Sequence, residues 1–173
     1  MSKWIVTWSW LLLVLLVCSC ASKQLPPPGL EYEEGAIKIH VKADPQLNLS
    51  DGKPHTLLVC VYQLKDPNAL NQLASDQEGL YRLLECNLFD ASVAGAKKLI
   101  VQPGQDTTFN LDRAEGARYV AVAAGYYLIE RERIVHLYEI PVVIEKKGII
   151  KRTKRKKLGT LEIDLKLGPQ QIQ

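Results

Sequence analysis

The sequence predicts a mainly β domain, a β-sandwich of seven or eight strands with one helical insertion. Residues 37–42 and 161–167 alternate apolar and polar side chains with period two, as strands with one wet face do. Residues 56–64 form a nearly continuous apolar run, which is typical of a strand covered on both faces. Residues 66–84 place apolar side chains at helical spacing instead. Many short strands with a single helical segment favour a sandwich.

The chain opens with the pattern of an export signal. Lys3 precedes an apolar run over residues 4–18, and residues 16–20 read Leu-Val-Cys-Ser-Cys. This ending resembles a lipobox, in which the thiol of the final cysteine accepts a diacylglyceryl group before the chain is cut. We therefore predict residues 1–19 as a lipoprotein signal peptide and Cys20 as the lipidated residue, carrying diacylglycerol and an N-acyl chain such as palmitate.

Three alternatives stay open at the N-terminus. The first is a permanent membrane anchor, although the apolar run is shorter than the ~20 residues that span a bilayer. The second is an ordinary signal peptide, and the third is lipidation at Cys18, where bulky Val17 fits the peptidase poorly. Ala21 and Ser22 follow Cys20 without an acidic inner-membrane retention signal. The expected location is therefore the outer membrane, with the domain facing the periplasm.

A tether is predicted to join the lipid to the domain. Residues 20–35 contain Pro-Pro-Pro-Gly at 26–29 and then three glutamates, a composition that cannot form a packed core. Extended at ~3 Å per residue, the fourteen residues from Ala21 to Glu34 would lift the domain up to about 40 Å from the bilayer. Residues 36–173 are then the folded periplasmic domain.

The first half of that domain contains a long loop and the helical insertion. Asp44 and Pro45 end the first strand, and an Asp-Gly turn signal lies at 51–52 within the loop that follows. Asp66 before Pro67 reads as a helix N-cap. A capping box over residues 75–78 starts a second stretch of helix, with a break expected near Gly79.

The second half returns to strands. We predict a hairpin of residues 99–101 with 107–111 around Pro103 and Gly104. A strand over 119–129 follows, with a bulge at Gly125 and with Tyr126 and Tyr127 on opposite faces. A further strand spans 134–144, where Pro141 indicates an edge or a bulge.

Cys60 and Cys86 are the cysteines left besides Cys18 and Cys20. An exported compartment permits a disulfide that would fasten the helix end to the sheet. Two separate buried thiols are the alternative, and the sequence alone leaves both open.

Catalysis and nucleic-acid binding find little support in the sequence. His40, His55 and His136 have no metal-ligand spacing, and no nucleophile elbow or phosphate loop occurs, so we expect no enzyme, no metal and no cofactor. The net charge of +3 is too small to indicate a nucleic-acid partner. The basic segment Lys146–Lys157 reads either as a solvated hairpin tip or as a site for anionic lipid, cell-wall polymer or an acidic protein.

Several motifs together resemble the type VI secretion lipoprotein family, the TssJ or SciN type. Residues 58–67, Leu-Val-Cys-Val-Tyr-Gln-Leu-Lys-Asp-Pro, are similar to that family's V-x-V-Y-Q-L-K-D-P stretch. Residues 101–104 match its Pro-Gly turn and residues 117–124 its A-R-Y-x-x-V-x-A strand, downstream of a matching lipobox. The resemblance covers about residues 36–129, and the basic segment departs from it.

The resemblance implies a transthyretin-like sandwich anchored in the outer membrane. It also implies a partner, the periplasmic C-terminal domain of the inner-membrane subunit TssM, and through it an indirect link to TssL in the trans-envelope complex. The family's docking element is the loop between the first two strands. Carried onto this chain, the partner-binding residues are Leu47, Asn48, Leu49, Ser50, Asp51, Gly52, Lys53 and Pro54.

Two questions accompany that assignment. Leu47 and Leu49 read either as apolar anchors for the partner or as side chains that pack back on the sandwich. The alternative function is a lipid-anchored carrier or sensor of a small ligand, since a fold alone does not decide function.

Overall fold

A computed structural model describes residues 25–147 and 153–173, and within them nine strands and three short helices. The strands are β1 Glu33–Ala43, β2 Leu57–Leu64, β3 Val93–Val101, β4 Asp106–Arg113, β5 Tyr119–Ala124, β6 Val135–Glu139, β7 Val142–Lys147, β8 Thr153–Leu158 and β9 Leu161–Leu167. The helices are α1 Asn68–Leu73, α2 Gln77–Leu83 and α3 Arg131–Ile134. The predicted mainly β fold with a small helical insertion is confirmed.

The strands form three sheets. One has the order β4-β1-β9, with β1 antiparallel to β4 and parallel to β9. The second has the order β3-β2-β5-β6, and β7 and β8 form a separate hairpin. The prediction of one strand over residues 134–144 is wrong, because Pro141 separates β6 from β7. That division, together with β8 in the basic segment, raises the strand count to nine.

The core lies between the two larger sheets and continues beneath the helices. Ile37, Ile39 and Val41 of β1 are fully buried, and the residues between them are more exposed. Strand β2 is covered on both faces, as its apolar run predicts. Tyr62 donates its hydroxyl to the carbonyl of Leu83 in α2 at 2.6 Å. Alternate residues of β2 therefore face the helices and the opposite sheet.

The helical insertion consists of two short helices divided at residues 74–76. Asp76 is the N-cap of α2, because its carboxylate accepts the amide N–H of Gly79 at 2.7 Å. The N-cap is therefore one residue later than Ser75, where the predicted capping box begins. A Cβ at Gly79 would lie 1.9 Å from the carbonyl oxygen of Leu73, so glycine lets α2 begin directly against α1. No helix in residues 25–147 or 153–173 is long and apolar enough to cross a membrane.

Two other sequence predictions are corrected. The hairpin expected around Pro103 does not form, because β3 belongs to the second sheet and β4 to the first. The Pro-Gly turn, with Gly104 at φ +73°, instead carries the chain from one sheet to the other. Strand β5 ends at Ala124, and Gly125 is not a bulge within it; its amide donates to the carbonyl of Leu58 at 2.8 Å.

The strand registers define two opposite ends of the sandwich. The connection between β1 and β2 lies at one end, beside the last residues of β5 and β9. The start of β1 and the base of the β7–β8 hairpin lie at the other end. Strand β1 has 11 residues, so the two ends are separated by about 35 Å.

The N-terminal segment joins the domain earlier than the sequence predicts. Gly29 forms a parallel bridge with Lys157, and the carbonyl of Leu30 accepts the amide of Gly116 at 2.8 Å. Tyr32 donates its hydroxyl to Asp112, and β1 begins at Glu33. The predicted tether over residues 20–35 is therefore too long, because residues 29–35 contact the domain.

A buried arginine fastens this segment in place. The side chain of Arg113 is 3% exposed and donates to Glu33 at 2.8 Å and to the carbonyl of Glu31 at 3.3 Å. Glu33 also accepts from Lys157 at 2.7 Å. The hydrogen bond from Lys157, with the nearby positive charges of Lys157 and Arg113, lowers the pKa of the Glu33 carboxyl.

Glu33→Gln is expected to lower the free energy of unfolding by about 2 kcal/mol at neutral pH, because it leaves the buried charge of Arg113 without its carboxylate. A carboxyl whose pKa is lowered by folding stabilises the protein above its unfolded pKa, and this contribution is lost as pH falls through the folded pKa. Urea unfolding across the acid range should therefore show the difference from wild type shrinking below about pH 4.5.

Glu162→Gln is the matched control. Its partner Lys38 lies at 3.1 Å, but both side chains are well exposed, so a loss of no more than about 0.5 kcal/mol is expected. Equal losses in the two variants would contradict the conclusion that the Arg113–Glu33 pair fastens the N-terminal segment.

Candidate partner-docking site

The loop between β1 and β2 ends in a tight, hydrogen-bonded turn. Ser50 and Lys53 exchange backbone hydrogen bonds of 3.0 and 2.9 Å, with Asp51 at φ +50° and Gly52 at φ +71° between them. Two consecutive residues with positive φ are the signature of a type I′ turn, which Asp-Gly favours. Residues 51–54 are exposed, so the loop presents a rigid tip to solvent.

The residues at the base of the loop are buried and hold the loop against the sandwich. Leu47 is fully buried, so the expectation that it offers an exposed apolar anchor is wrong, and its side chain belongs to the core. Asn48 is 6% exposed. Its side-chain amide nitrogen donates to the carbonyl of Thr56, and its side-chain oxygen accepts the backbone N–H of Tyr127, both at 3.1 Å. Neither side chain is available to a partner. Both fix the direction in which the tip projects.

Leu49 begins the accessible part of the loop. It is partly exposed, and its amide donates to the carbonyl of Pro169 at 2.8 Å. The predicted partner-binding role therefore remains a prediction for Leu49, Ser50, Asp51, Gly52, Lys53 and Pro54.

An exposed aromatic residue adjoins the loop and extends the candidate surface. Tyr127 is 62% exposed, and its ring meets that of His55 edge-on with 5.3 Å between centroids. Leu128 beside it is 45% exposed. Tyr126 is buried and donates its hydroxyl to the carbonyl of Gln171, so the expected division of the tyrosine pair is correct. The sequence did not connect Tyr127 to the loop, because the contact between Asn48 and Tyr127 joins residues that are 79 positions apart in the chain.

The remaining candidate residues lie elsewhere. Cys20 falls outside the described residues. Cys60 in β2 and Cys86 after α2 form a disulfide with 5.1 Å between Cα atoms, which decides between the two sequence alternatives. Burial raises the pKa of the neighbouring Tyr62 to about 12, so its phenol stays protonated as a donor to α2.

Among residues 25–147 and 153–173, no group of three or more histidine, cysteine, aspartate or glutamate side chains is arranged to hold a metal ion. His40 on the exposed face of the first sheet meets Asp106 at 2.8 Å and Asp164 at 3.2 Å. Hydrogen bonds to Asp106 and then Asp164 raise the pKa of His40. His40 thereby links β1 to both neighbouring strands, β4 and β9. Burial lowers the pKa of His136 on β6.

Comparison with known families decides the identity. Residues 35–168 match the family described as type VI secretion lipoprotein (VasD, EvfM, TssJ). The chain belongs to this family. The match includes the β1–β2 loop, and it extends through the basic segment that the sequence resemblance left aside. No curated protein sequence matches the chain at a significant level.

Solved structures share the fold at low sequence identity. The type VI lipoprotein TssJ1 from Pseudomonas aeruginosa is 20% identical, with a TM-score of 0.57 over 85% of this chain and 95% of that one. Lip of Serratia marcescens, described as a membrane-bound component of the type VI secretion system, is 16% identical, with a TM-score of 0.58 over 79% and 94%. A chain described as the TssM C-terminal domain from EAEC is also 16% identical, with a TM-score of 0.57 over 79% and 94%.

Proposed function

We propose that this type VI secretion lipoprotein is an adaptor anchored in the outer membrane. Lipid on Cys20 holds it at the periplasmic face, and the loop tip from Leu49 to Pro54, with Tyr127 beside it, docks the periplasmic C-terminal domain of TssM. Through TssM the chain connects indirectly to TssL in the trans-envelope complex. Family membership supports this proposal, as does the fold shared with components of type VI membrane complexes.

One observation carries the proposal. The loop tip and the N-terminal segment leave the sandwich at opposite ends, about 35 Å apart along β1. A domain held to a bilayer through its N-terminus would therefore direct the tip away from that bilayer, toward a partner rooted in the inner membrane.

The stiffness of the tip suits a binding role. Its turn is closed by two backbone hydrogen bonds, and its base is fixed by Leu47 and Asn48. A loop already held in one conformation loses little entropy on binding, so more of the contact energy appears as affinity. Attachment to a membrane also raises the effective concentration of the pair, so a moderate affinity suffices.

The double variant Leu49→Asp with Lys53→Glu is expected to weaken binding to the purified TssM periplasmic domain about a hundredfold, a typical cost for two contact residues of an interface. Calorimetry on the mature chain measures the affinity. The melting temperature should stay within a few degrees of wild type, because Lys53 is exposed and Leu49 is only partly covered.

Lys98→Glu is the control, since it reverses an exposed charge on β3 away from the loop. It should leave the affinity for TssM unchanged. Wild-type affinity in the double variant, or an equal loss in the control, would remove the loop from the proposal. Among residues 25–147 and 153–173, no specific contact favours the alternative function, a carrier of a small ligand.

A further inference from the structure

The two faces of the β7–β8 hairpin differ in whether the cations of β8 have acidic partners. Residues directly opposite each other in an antiparallel pair share a face. Glu145 is opposite Arg155 and bonds it at 2.6 Å, and Lys157 on the same face pairs with Glu33 at 2.7 Å. Both cations that β8 places on this face, Arg155 and Lys157, therefore have an acidic partner.

The other face carries lysines with no acidic partner in the described structure. Lys146 is directly opposite Lys154, and Lys156 is opposite Ile144. All three lysines are exposed, as are Val142 at 50% and Ile144 at 58%. Like charges placed directly opposite each other repel, so an external anionic surface would relieve this pair. We call this surface, defined by Val142, Ile144, Lys146, Lys154 and Lys156, the cationic face.

The N-terminal segment relates the cationic face to the lipid anchor. Strand β8 runs from the tip of the hairpin toward its base, and Gly29 pairs with Lys157 in the parallel sense. Read backward from Gly29, the chain therefore leaves along the hairpin toward its tip. Nine residues lead from Gly29 back to Cys20, which limits their separation to about 30 Å.

We propose that the cationic face binds the anionic phospholipid surface of the membrane in which Cys20 is anchored. Lysine ammonium groups would meet phosphate headgroups, while Val142 and Ile144 would enter the shallow apolar boundary beneath them. Lipid and hairpin then form two attachment points at one end of the domain. This inference rests on the proposed lipidation, and its test separates the two.

Tryptophan fluorescence of the full lipidated chain provides that test. All three tryptophans lie within the first ten residues, so cleavage before Cys20 leaves a mature chain without any. Ile144→Trp then places one reporter on the cationic face. Tyr127→Trp, on a residue of similar exposure at the opposite end, is the matched control.

Each chain is reconstituted in vesicles of phosphatidylcholine, with or without phosphatidylglycerol, that contain brominated lipid as quencher. We expect the Ile144→Trp reporter to shift to shorter wavelength and be quenched only where phosphatidylglycerol is present. The Tyr127→Trp reporter should be unaffected in both. An unquenched Ile144→Trp reporter on vesicle-bound chain would overturn the inference and leave the anchor intact. Tryptophan emission from the purified wild-type chain would show an uncut N-terminus, which contradicts the proposed lipidation instead.

Charge variants test the mechanism. The first variant carries Lys146→Gln, Lys154→Gln and Lys156→Gln in the Ile144→Trp chain. We expect the equilibrium constant between membrane-bound and free hairpin, followed by quenching of the reporter, to fall about a hundredfold, at roughly fivefold per lysine. The control neutralises three exposed lysines elsewhere on the domain, Lys42, Lys97 and Lys98, and should leave it unchanged. An equal fall in both variants, or none in the first, would contradict a specific cationic face.

Discussion

Replacing Cys20 by serine is expected to abolish lipidation and remove the chain from the outer-membrane fraction. Serine lacks the thiol that accepts the diacylglyceryl group, so the signal peptide should also remain attached. Each buried methylene of an acyl chain contributes about 0.8 kcal/mol to membrane binding, so losing two or three chains removes the stable anchor. Incorporation of labelled palmitate, followed by separation of inner and outer membranes, measures both effects.

Cys18→Ser is the matched control, two residues away in the same segment. It should retain the label and the outer-membrane location, because Cys20 remains available. A label that persists in Cys20→Ser and disappears in Cys18→Ser would move the lipidation site. A label unchanged in both variants would contradict the proposed anchor altogether.

Replacing Cys60 and Cys86 together by alanine is expected to lower the free energy of unfolding by about 3 kcal/mol. The disulfide joins residues 26 positions apart, and opening it restores conformational freedom mainly to the unfolded chain. It also frees the segment after α2, where Cys86 has φ +57°, from the buried strand β2. Urea unfolding of the mature chain under oxidising conditions provides the measurement.

Reductant supplies the control for this prediction. It should lower the wild-type unfolding midpoint toward that of the double variant and leave the double variant itself unchanged. If reduced and oxidised wild type unfolded at the same urea concentration, the bond would not contribute to stability as described.

Local sequence patterns correctly predicted the strands and the turn whose structure is determined by residues close together in the chain. Period-two alternation found β1 and β9, and the double-sided cover of β2 followed from its unbroken apolar run. The Asp51-Gly52 pair predicted its turn because few other residues adopt positive φ there. These elements are specified by neighbours along the chain.

Other features depend on contacts that no local pattern reports. The sequence around Pro103 reads as a hairpin, but each flanking strand finds a better partner in a different sheet. Leu47 looks like a loop residue, yet the core accommodates its side chain. The docking of residues 29–35 depends on Arg113, some 80 residues away, so composition alone indicated a free tether. Tyr127 was missed as part of the site for the same reason.

The course of β1 has a mechanical consequence. Its first residue follows the segment proposed to lead to the membrane, and its last precedes the loop proposed to hold TssM. A pulling force between bilayer and partner would therefore run lengthwise through this one strand. Because β1 is hydrogen-bonded to β4 on one side and β9 on the other, the load would act in shear on two ladders at once. Breaking such an arrangement requires many bonds to yield together, whereas a strand pulled sideways would unzip one bond at a time.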